Sequence, residues 1–188
     1  MIPATEAARI INRHRDQAVV VSTSKALREW SQVSERRDLD VDLLDCLDKA
    51  ADVALGISLA RPELKVLVLD SDATLRTNPS VMVTTGGAAP PNLVHFLFED
   101  SGHRSTGGIP IPGLGGMDFA SLAREAGYAA VHRFDDLEDL AISLEEILRE
   151  RGPVFVAIRV FHGPDLPPYP NRTMAQSLAT VRETLSAE

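Results

Sequence analysis

The chain has 188 residues, enough for one domain with its own hydrophobic core. Nineteen basic residues against 27 acidic ones give a formal charge of −8, which argues against a nucleic-acid or anionic-membrane surface. A hydrophobic fraction of 44% with 24% charged residues excludes disorder by composition. Cys46, the single cysteine, cannot close an internal disulfide and reads as a small buried hydrophobe. Residues 1–6 lack a basic-then-apolar signal, and no apolar run approaches the ~20 residues of a membrane helix. A cytoplasmic protein is expected, with no nucleic-acid or membrane partner.

In chain order, residues 18–22 form the first short apolar run. Leu47, Ala50, Ala51 and Ala54 then recur at helical spacing, with Asp48, Lys49 and Asp52 opposite. Residues 65–69 and 93–98 are further apolar runs, the latter containing His95, expected as a core histidine. Residues 102–116 hold six of the 12 glycines plus Pro110 and Pro112, a composition and length that suit a functional loop. Residues 118–126 predict a helix stopped by Gly127. Runs at 129–132 and 154–159 flank an apolar stripe of Leu137, Leu140, Ala141, Leu144, Ile147 and Leu148, with Asp135 or Asp136 as N-cap. Four prolines in 163–170 predict an extended connection to a last helix, 171–186, whose stripe of Met174, Leu178, Val181 and Leu185 would cover its own domain. The apolar runs lack clean alternation, as strands covered on both faces do. The order predicts an α/β fold, a doubly wound, mostly parallel sheet with helices on both faces, in a single domain over 1–188.

Ligands of such sheets bind beyond the carboxyl ends of the strands. Residues 66–69 run into Asp70-Ser71-Asp72-Ala73-Thr74, and residues 93–98 into Glu99-Asp100-Ser101-Gly102. On neighbouring strands, Asp72 and Asp100 would form an oxygen-rich site suited to Mg²⁺ or Ca²⁺. The alternative is that both merely cap turns and helices. Ser105-Thr106-Gly107-Gly108 offers hydroxyls and close-approach backbone nearby.

Residues 59–72, Pro91-Asn92-Leu93-Val94-His95, Ser105-Thr106-Gly107-Gly108 and Asp118-Phe119-Ala120 together resemble thiamine-diphosphate-dependent enzymes. The match is to the diphosphate-binding half of sulfopyruvate and phosphonopyruvate decarboxylases, over roughly residues 40–160. That family carries a Gly-Asp-Gly turn, some 25 residues and an Asn-Asn pair. The resemblance implies thiamine diphosphate with Mg²⁺ held by Asp72, Asp100 and the Gly102 carbonyl. It implies a cofactor site of Leu47 as apolar prop, Ser71, Asp72, Ala73, Thr74, Asp100, Gly102, Ser105, Thr106 and Gly107, with His103 meeting a small 2-oxoacid substrate. It also implies a pyrimidine-binding partner chain or a homo-oligomer, because the activating glutamate belongs to the other domain of such enzymes. The sequence departs from the pattern where Ser71 and Ala73 replace the two glycines and Asp100 replaces an asparagine. Asp45 and Asp48 replace two more glycines upstream, which adds negative charge near a diphosphate. Lys25, in Ser22-Thr23-Ser24-Lys25, is a candidate compensating cation, with a solvated helix-start lysine as the plainer reading.

Two rival readings use the same residues. A non-catalytic relative would keep the fold and subunit contacts without the cofactor. Val68-Leu69-Asp70-Ser71-Asp72-Ala73-Thr74-Leu75 also resembles the first motif of haloacid-dehalogenase-type phosphatases, with Asp70 as nucleophile, Asp72 as general acid/base and Asp135 or Asp136 as metal acids. Trp30 reads as packing or interface.

Overall fold

The computed structural model describes residues 1–100 and 117–187. The elements are β1 (Ile2–Pro3), α1 (Ala4–His14), β2 (Val19–Thr23), α2 (Ser24–Val33), β3 (Asp40–Leu43), α3 (Ala50–Ala60), β4 (Val66–Ser71), α4 (Asp72–Thr77) and α5 (Ser80–Ala88). They continue with β5 (Leu93–Glu99), α6 (Phe119–Glu125), β6 (Ala130–Phe134), α7 (Leu137–Arg149), β7 (Val154–Phe161) and α8 (Met174–Ala187). The strands form one sheet in the order β1-β7-β5-β4-β2-β3, with β6 also paired to β7. Every pairing is parallel. Among the described residues, no helix is long and apolar enough to cross a membrane.

The expected apolar runs became β2, β4, β5, β6 and β7 because both sheet faces are covered. Along β2, Val20 packs into one core while Val19 and Val21 pack into the other. Along β4, Leu67 and Leu69 face the first core and Val66 and Val68 the second. Alternate residues therefore both meet apolar neighbours, and alternation disappears from the sequence. Helices α1, α2 and α7 close one face through residues such as Ile11, Trp30 and Leu144. Helices α3, α5, α6 and α8 close the other through Ala54, Met82, Phe119 and Val181.

Helix ends follow the expected chemistry. The Asp118 side chain accepts from Ser121 N at 3.1 Å at the start of α6. Asp136, rather than Asp135, caps α7, accepting from Glu138 N at 2.8 Å and Asp139 N at 3.2 Å. Gly127 adopts φ +95° after α6, a conformation a side chain would strain. Helix α8 starts at Met174, and its stripe differs from expectation, since Leu178 is 39% exposed. The buried place is taken by Ser177, whose Oγ accepts from Asp42 N at 3.0 Å. The proline-rich connection is tied back to α2, where Arg28 donates to the carbonyls of Leu166 (3.0 Å) and Pro167. Cys46 is half-buried rather than buried.

Strand β3 was not anticipated, because it reads Asp40-Val41-Asp42-Leu43. Val41 and Leu43 enter the core, yet both acids are also fully buried. Arg15 Nη1 reaches Asp40 Oδ1 at 2.6 Å, and Arg37 bridges Asp40 (3.0 Å) and Asp42 (2.6 Å). Arg172 donates to Asp42 at 2.6 Å and to the Asp40 carbonyl at 2.6 Å, fixing the segment that leads into α8. Removing one partner of such a group leaves an uncompensated buried charge. Asp40→Ala is therefore expected to lower unfolding stability by about 3–5 kcal/mol, read as a shifted urea midpoint at unchanged slope.

Candidate functional site

Strands β4 and β5 are neighbours, with Ser71 opposite Phe98, so Asp72 and Asp100 follow directly at adjacent carboxyl ends. Asp72 is 5% exposed. Burial and then the nearby Asp100 charge hold its carboxyl above the usual range, against the pull of Lys25. The Lys25 ammonium pairs with Asp100 Oδ2, and both side chains are 8% exposed. Lys25 is thus no solvated helix-start lysine. It is the second residue of α2, directly after Ser24, which sits at φ +54° at the junction with β2. That left-handed conformation is strained for a residue with a Cβ, and such strain concentrates at functional sites.

Three further residues back this pair. His162, just past the end of β7, places Nε2 3.5 Å from Asp100 Oδ2 and Nδ1 2.7 Å from Glu29 Oε1. Thr5 Oγ1 donates to Glu29 Oε2 at 2.6 Å. His162 and Glu29 are almost wholly buried. Sequence reasoning missed this chain of groups. Its signals were a histidine at the end of a strong strand and the Lys25/Glu29 spacing of four on α2, which puts both on one helix face.

The other expected site residues are scattered in role. Ser71 and Thr74 are buried and bind one another, Ser71 N donating to Thr74 Oγ1 at 3.3 Å while Thr74 Oγ1 donates to Asp70. Their side chains close the turn at the head of α4. Ser71 has φ −122° and ψ 152°, extended backbone that needs no glycine. Ala73 is half-buried. The short turn Leu47–Lys49 packs against α4. Asp45 is exposed, and Asp48 pairs with Lys49 at 3.1 Å, so neither adds an unbalanced buried charge. The Leu47 side chain and Gly102, His103, Ser105, Thr106 and Gly107 lie outside the described residues. Asp70 is 3% exposed and engaged by Ser71 N at 2.7 Å, which leaves the phosphatase reading without an accessible nucleophile. His95 is fully buried against Tyr128 and Phe155, and Trp30 is fully buried in the core.

Beside Asp72, a cleft of about 310 Å³ opens at the same sheet edge, where Arg76, Arg133 and Arg159 meet Glu99 and Asp118. Burial raises the Glu99 carboxyl above its usual range, partly offset by these guanidinium groups. The cleft lining mixes three arginines with Asp72, Glu99 and Asp118, and Arg133 pairs with Asp118, so its guanidinium groups can meet an anion only in exchange for carboxylates.

Residues 22–158 match the family described as thiamine pyrophosphate enzyme, C-terminal TPP binding domain. The chain belongs to this thiamine pyrophosphate enzyme family. It is 34% identical over 149 residues to the phosphonopyruvate decarboxylase of Streptomyces viridochromogenes, covering 79% of this chain and 37% of that protein. It is 29% identical over 121 residues to sulfopyruvate decarboxylase subunit beta of Methanothermobacter thermautotrophicus, covering 64% of this chain and 62% of that subunit. In fold it is similar to the thiamine diphosphate-dependent 4-hydroxybenzoylformate decarboxylase of Rhodococcus jostii, with a TM-score of 0.68 at 16% identity over 87% of this chain and 33% of the other. The chain thus spans just over a third of the phosphonopyruvate decarboxylases it matches.

The two groups associated with this family fare differently against the residues present. A thiamine diphosphate is compatible with the residues present, since the Ser71 backbone is extended and the cleft beside Asp72 carries Arg76, Arg133 and Arg159. A magnesium ion on Asp72 and Asp100 does not fit. Asp100 already holds the Lys25 ammonium, which a metal there would have to share or displace. A divalent ion and an ammonium sharing one carboxylate would repel by about 8 kcal/mol at ~4 Å and an effective dielectric constant near 20.

The Glu29 carboxyl gives a pH test of the backing chain. Burial alone would raise it, but the hydrogen bonds from His162 and Thr5 outweigh burial and hold it below its usual value. A depressed folded pKa contributes stability above the unfolded pKa, which is lost as pH falls through the folded one. Glu29→Gln is therefore expected to cost about 1.5–3 kcal/mol at neutral pH. The gap to the wild-type melting temperature should close once both carboxyls are protonated in strong acid.

Proposed function

We propose that this chain is the diphosphate-binding subunit of a two-chain, thiamine-diphosphate-dependent 2-oxoacid decarboxylase. The single observation that carries the reading is the meeting of Asp72 and Asp100 at adjacent strand ends, at the family's spacing and beside an arginine-lined cleft. The names of the two decarboxylase relatives support the reaction class, and the beta-subunit relative supports a separate partner chain. When bound, thiamine diphosphate supplies the thiazolium carbon that attacks a 2-oxoacid carbonyl and stores the electron pair left by carbon dioxide.

The work of this chain is to hold and orient. Arg76, Arg133 and Arg159 bind the diphosphate oxygens through guanidinium groups, and Arg76 is itself set over the Phe119 ring, 5.0 Å from its centroid. The closed Ser71–Thr74 turn holds Asp72 at the sheet edge. The partner chain supplies the carboxylate that activates the aminopyrimidine ring and covers the site from water. Of the residues the resemblance implicates, Leu47 is proposed as the apolar prop, and Ser105, Thr106 and Gly107 as the cover, with His103 next to the substrate.

Calorimetry with thiamine diphosphate, on this chain with and without its partner, tests the reading. One cofactor per chain is expected in the assembly, together with carbon dioxide release from a 2-oxoacid. Arg76→Ala should weaken cofactor binding about tenfold, the worth of one charge-assisted hydrogen bond. Absence of binding in both preparations would overturn the proposal in favour of a relative that keeps the fold without the cofactor.

A further inference from the structure

We infer that the Lys25 ammonium stands where a divalent ion would sit in this cofactor site, so that this chain holds the diphosphate through cationic side chains and without a metal. The inference rests on the cofactor reading above and changes what that site is made of. Its first support is occupancy. Lys25 and Asp100 form a pair with both side chains 8% exposed, and Asp72 is close enough to feel both charges. Carboxylates at adjacent strand ends, Asp72 buried and the Asp100 side chain 8% exposed, favour a nearby cation, and the cation present on Asp100 is part of the chain.

The second support is the chemistry of position 100. The resembled family has an asparagine there, a neutral oxygen donor, and a carboxylate ligates a divalent ion at least as well, so the exchange by itself does not exclude a metal. Here the residue is aspartate, whose full negative charge pairs with an ammonium far better than an amide does. The exchange of a neutral donor for a carboxylate thus goes together with a lysine delivered from another strand's end. The departure has a structural partner and is not an isolated loss.

The third support is the construction around the pair. Replacing buried ion pairs with apolar side chains is commonly neutral or stabilising, so this one needs a reason beyond folding. Lys25 is delivered by the β2–α2 junction, which accepts strain at Ser24, with φ +54°. Asp100 is backed by His162 at 3.5 Å, which is held at 2.7 Å by Glu29, which is held in turn by Thr5 at 2.6 Å. Groups from α1, α2, β5 and the end of β7 converge to keep one ammonium in one place. A lysine ammonium is a point charge with three donors, one of which meets Asp100 here.

The test uses the chain purified in its natural assembly and dialysed against a chelator. Thiamine diphosphate binding is measured by calorimetry with chelator present and again with excess Mg²⁺, and Mn²⁺ binding is followed by electron paramagnetic resonance. The inference expects chelator-resistant cofactor binding that Mg²⁺ changes by less than about twofold, and no Mn²⁺ bound at the site. Lys25→Met should weaken metal-free cofactor binding by about tenfold or more and create one Mn²⁺ site on the freed carboxylates. Cofactor binding that requires Mg²⁺, with one Mn²⁺ bound by the wild type, overturns the inference and leaves the cofactor reading standing. Failure of the cofactor to bind under either condition overturns the cofactor reading instead. The manganese measurement then still decides on Lys25: exclusion by wild type with binding by Lys25→Met supports it, and binding by wild type refutes it. Should Lys25→Met not fold, the wild-type manganese and chelator results decide alone.

Discussion

Two like charges held side by side out of water constrain everything at the carboxyl edge of this sheet. The parallel pairing of β4 and β5 brings Asp72 and Asp100 together, and the surrounding fold excludes the water that would screen them. Left alone, such a pair would take up a proton or pull the strand ends apart. The Lys25 ammonium resolves the conflict, and the consequences spread outward. The β2–α2 junction accepts a left-handed residue to deliver it, α2 turns Glu29 to the same face, and the segment after β7 places His162 between Glu29 and Asp100.

The same physics is repeated at the far edge of the sheet. Strand β3 buries Asp40 and Asp42, and three arginines from α1, the segment before β3 and the segment before α8 compensate them. There the cations are guanidinium groups in fixed, multiply bonded geometry, and the result anchors an edge strand and the C-terminal helix. At the carboxyl end of β5 the cation is a lysine, compact and bonded to one carboxylate oxygen, next to an open cleft. Arg37 and Arg172 of the β3 cluster reach solvent in part, whereas Lys25 and Asp100 are nearly enclosed, next to Asp72 at the rim of the arginine-lined cleft.

The chain belongs to the thiamine pyrophosphate enzyme family, and the cleft beside Asp72 opens at the carboxyl edge of its sheet. The chain spans 37% of one decarboxylase relative and 62% of a beta-subunit relative. Chemistry in the proposed assembly is divided: the cofactor's phosphate end rests on this chain and its reactive end faces a partner. The exposed acidic Asp45 and the Asp48–Lys49 pair show how the chain carries extra negative charge near such a site without burying it unpaired. The serine in place of the first glycine of the turn costs no backbone strain, because the Ser71 backbone is extended.

Read alone, the residues were enough for the parallel α/β architecture, five of the seven described strands, the helices α3, α6, α7 and α8, and the caps of α6 and α7. Those features depend on local composition, such as apolar runs of strand length, helical spacing of leucine and alanine, and aspartate at N-caps. The strand-end position of Asp72 and Asp100 was legible for the same reason, since each acid directly follows an apolar run. Strand β3 was not legible, because its buried acids depend on arginines 3 to 130 residues away. Lys25 was legible as a candidate compensating cation, but its pairing with Asp100, 75 residues away, was hidden, as was the His162–Glu29–Thr5 backing, with His162 and Glu29 separated by 133. A lysine's meaning is set by what desolvates it and which carboxylate it meets. Both are properties of the packed sheet edge, decided when β2, β4, β5 and β7 come into register and not before.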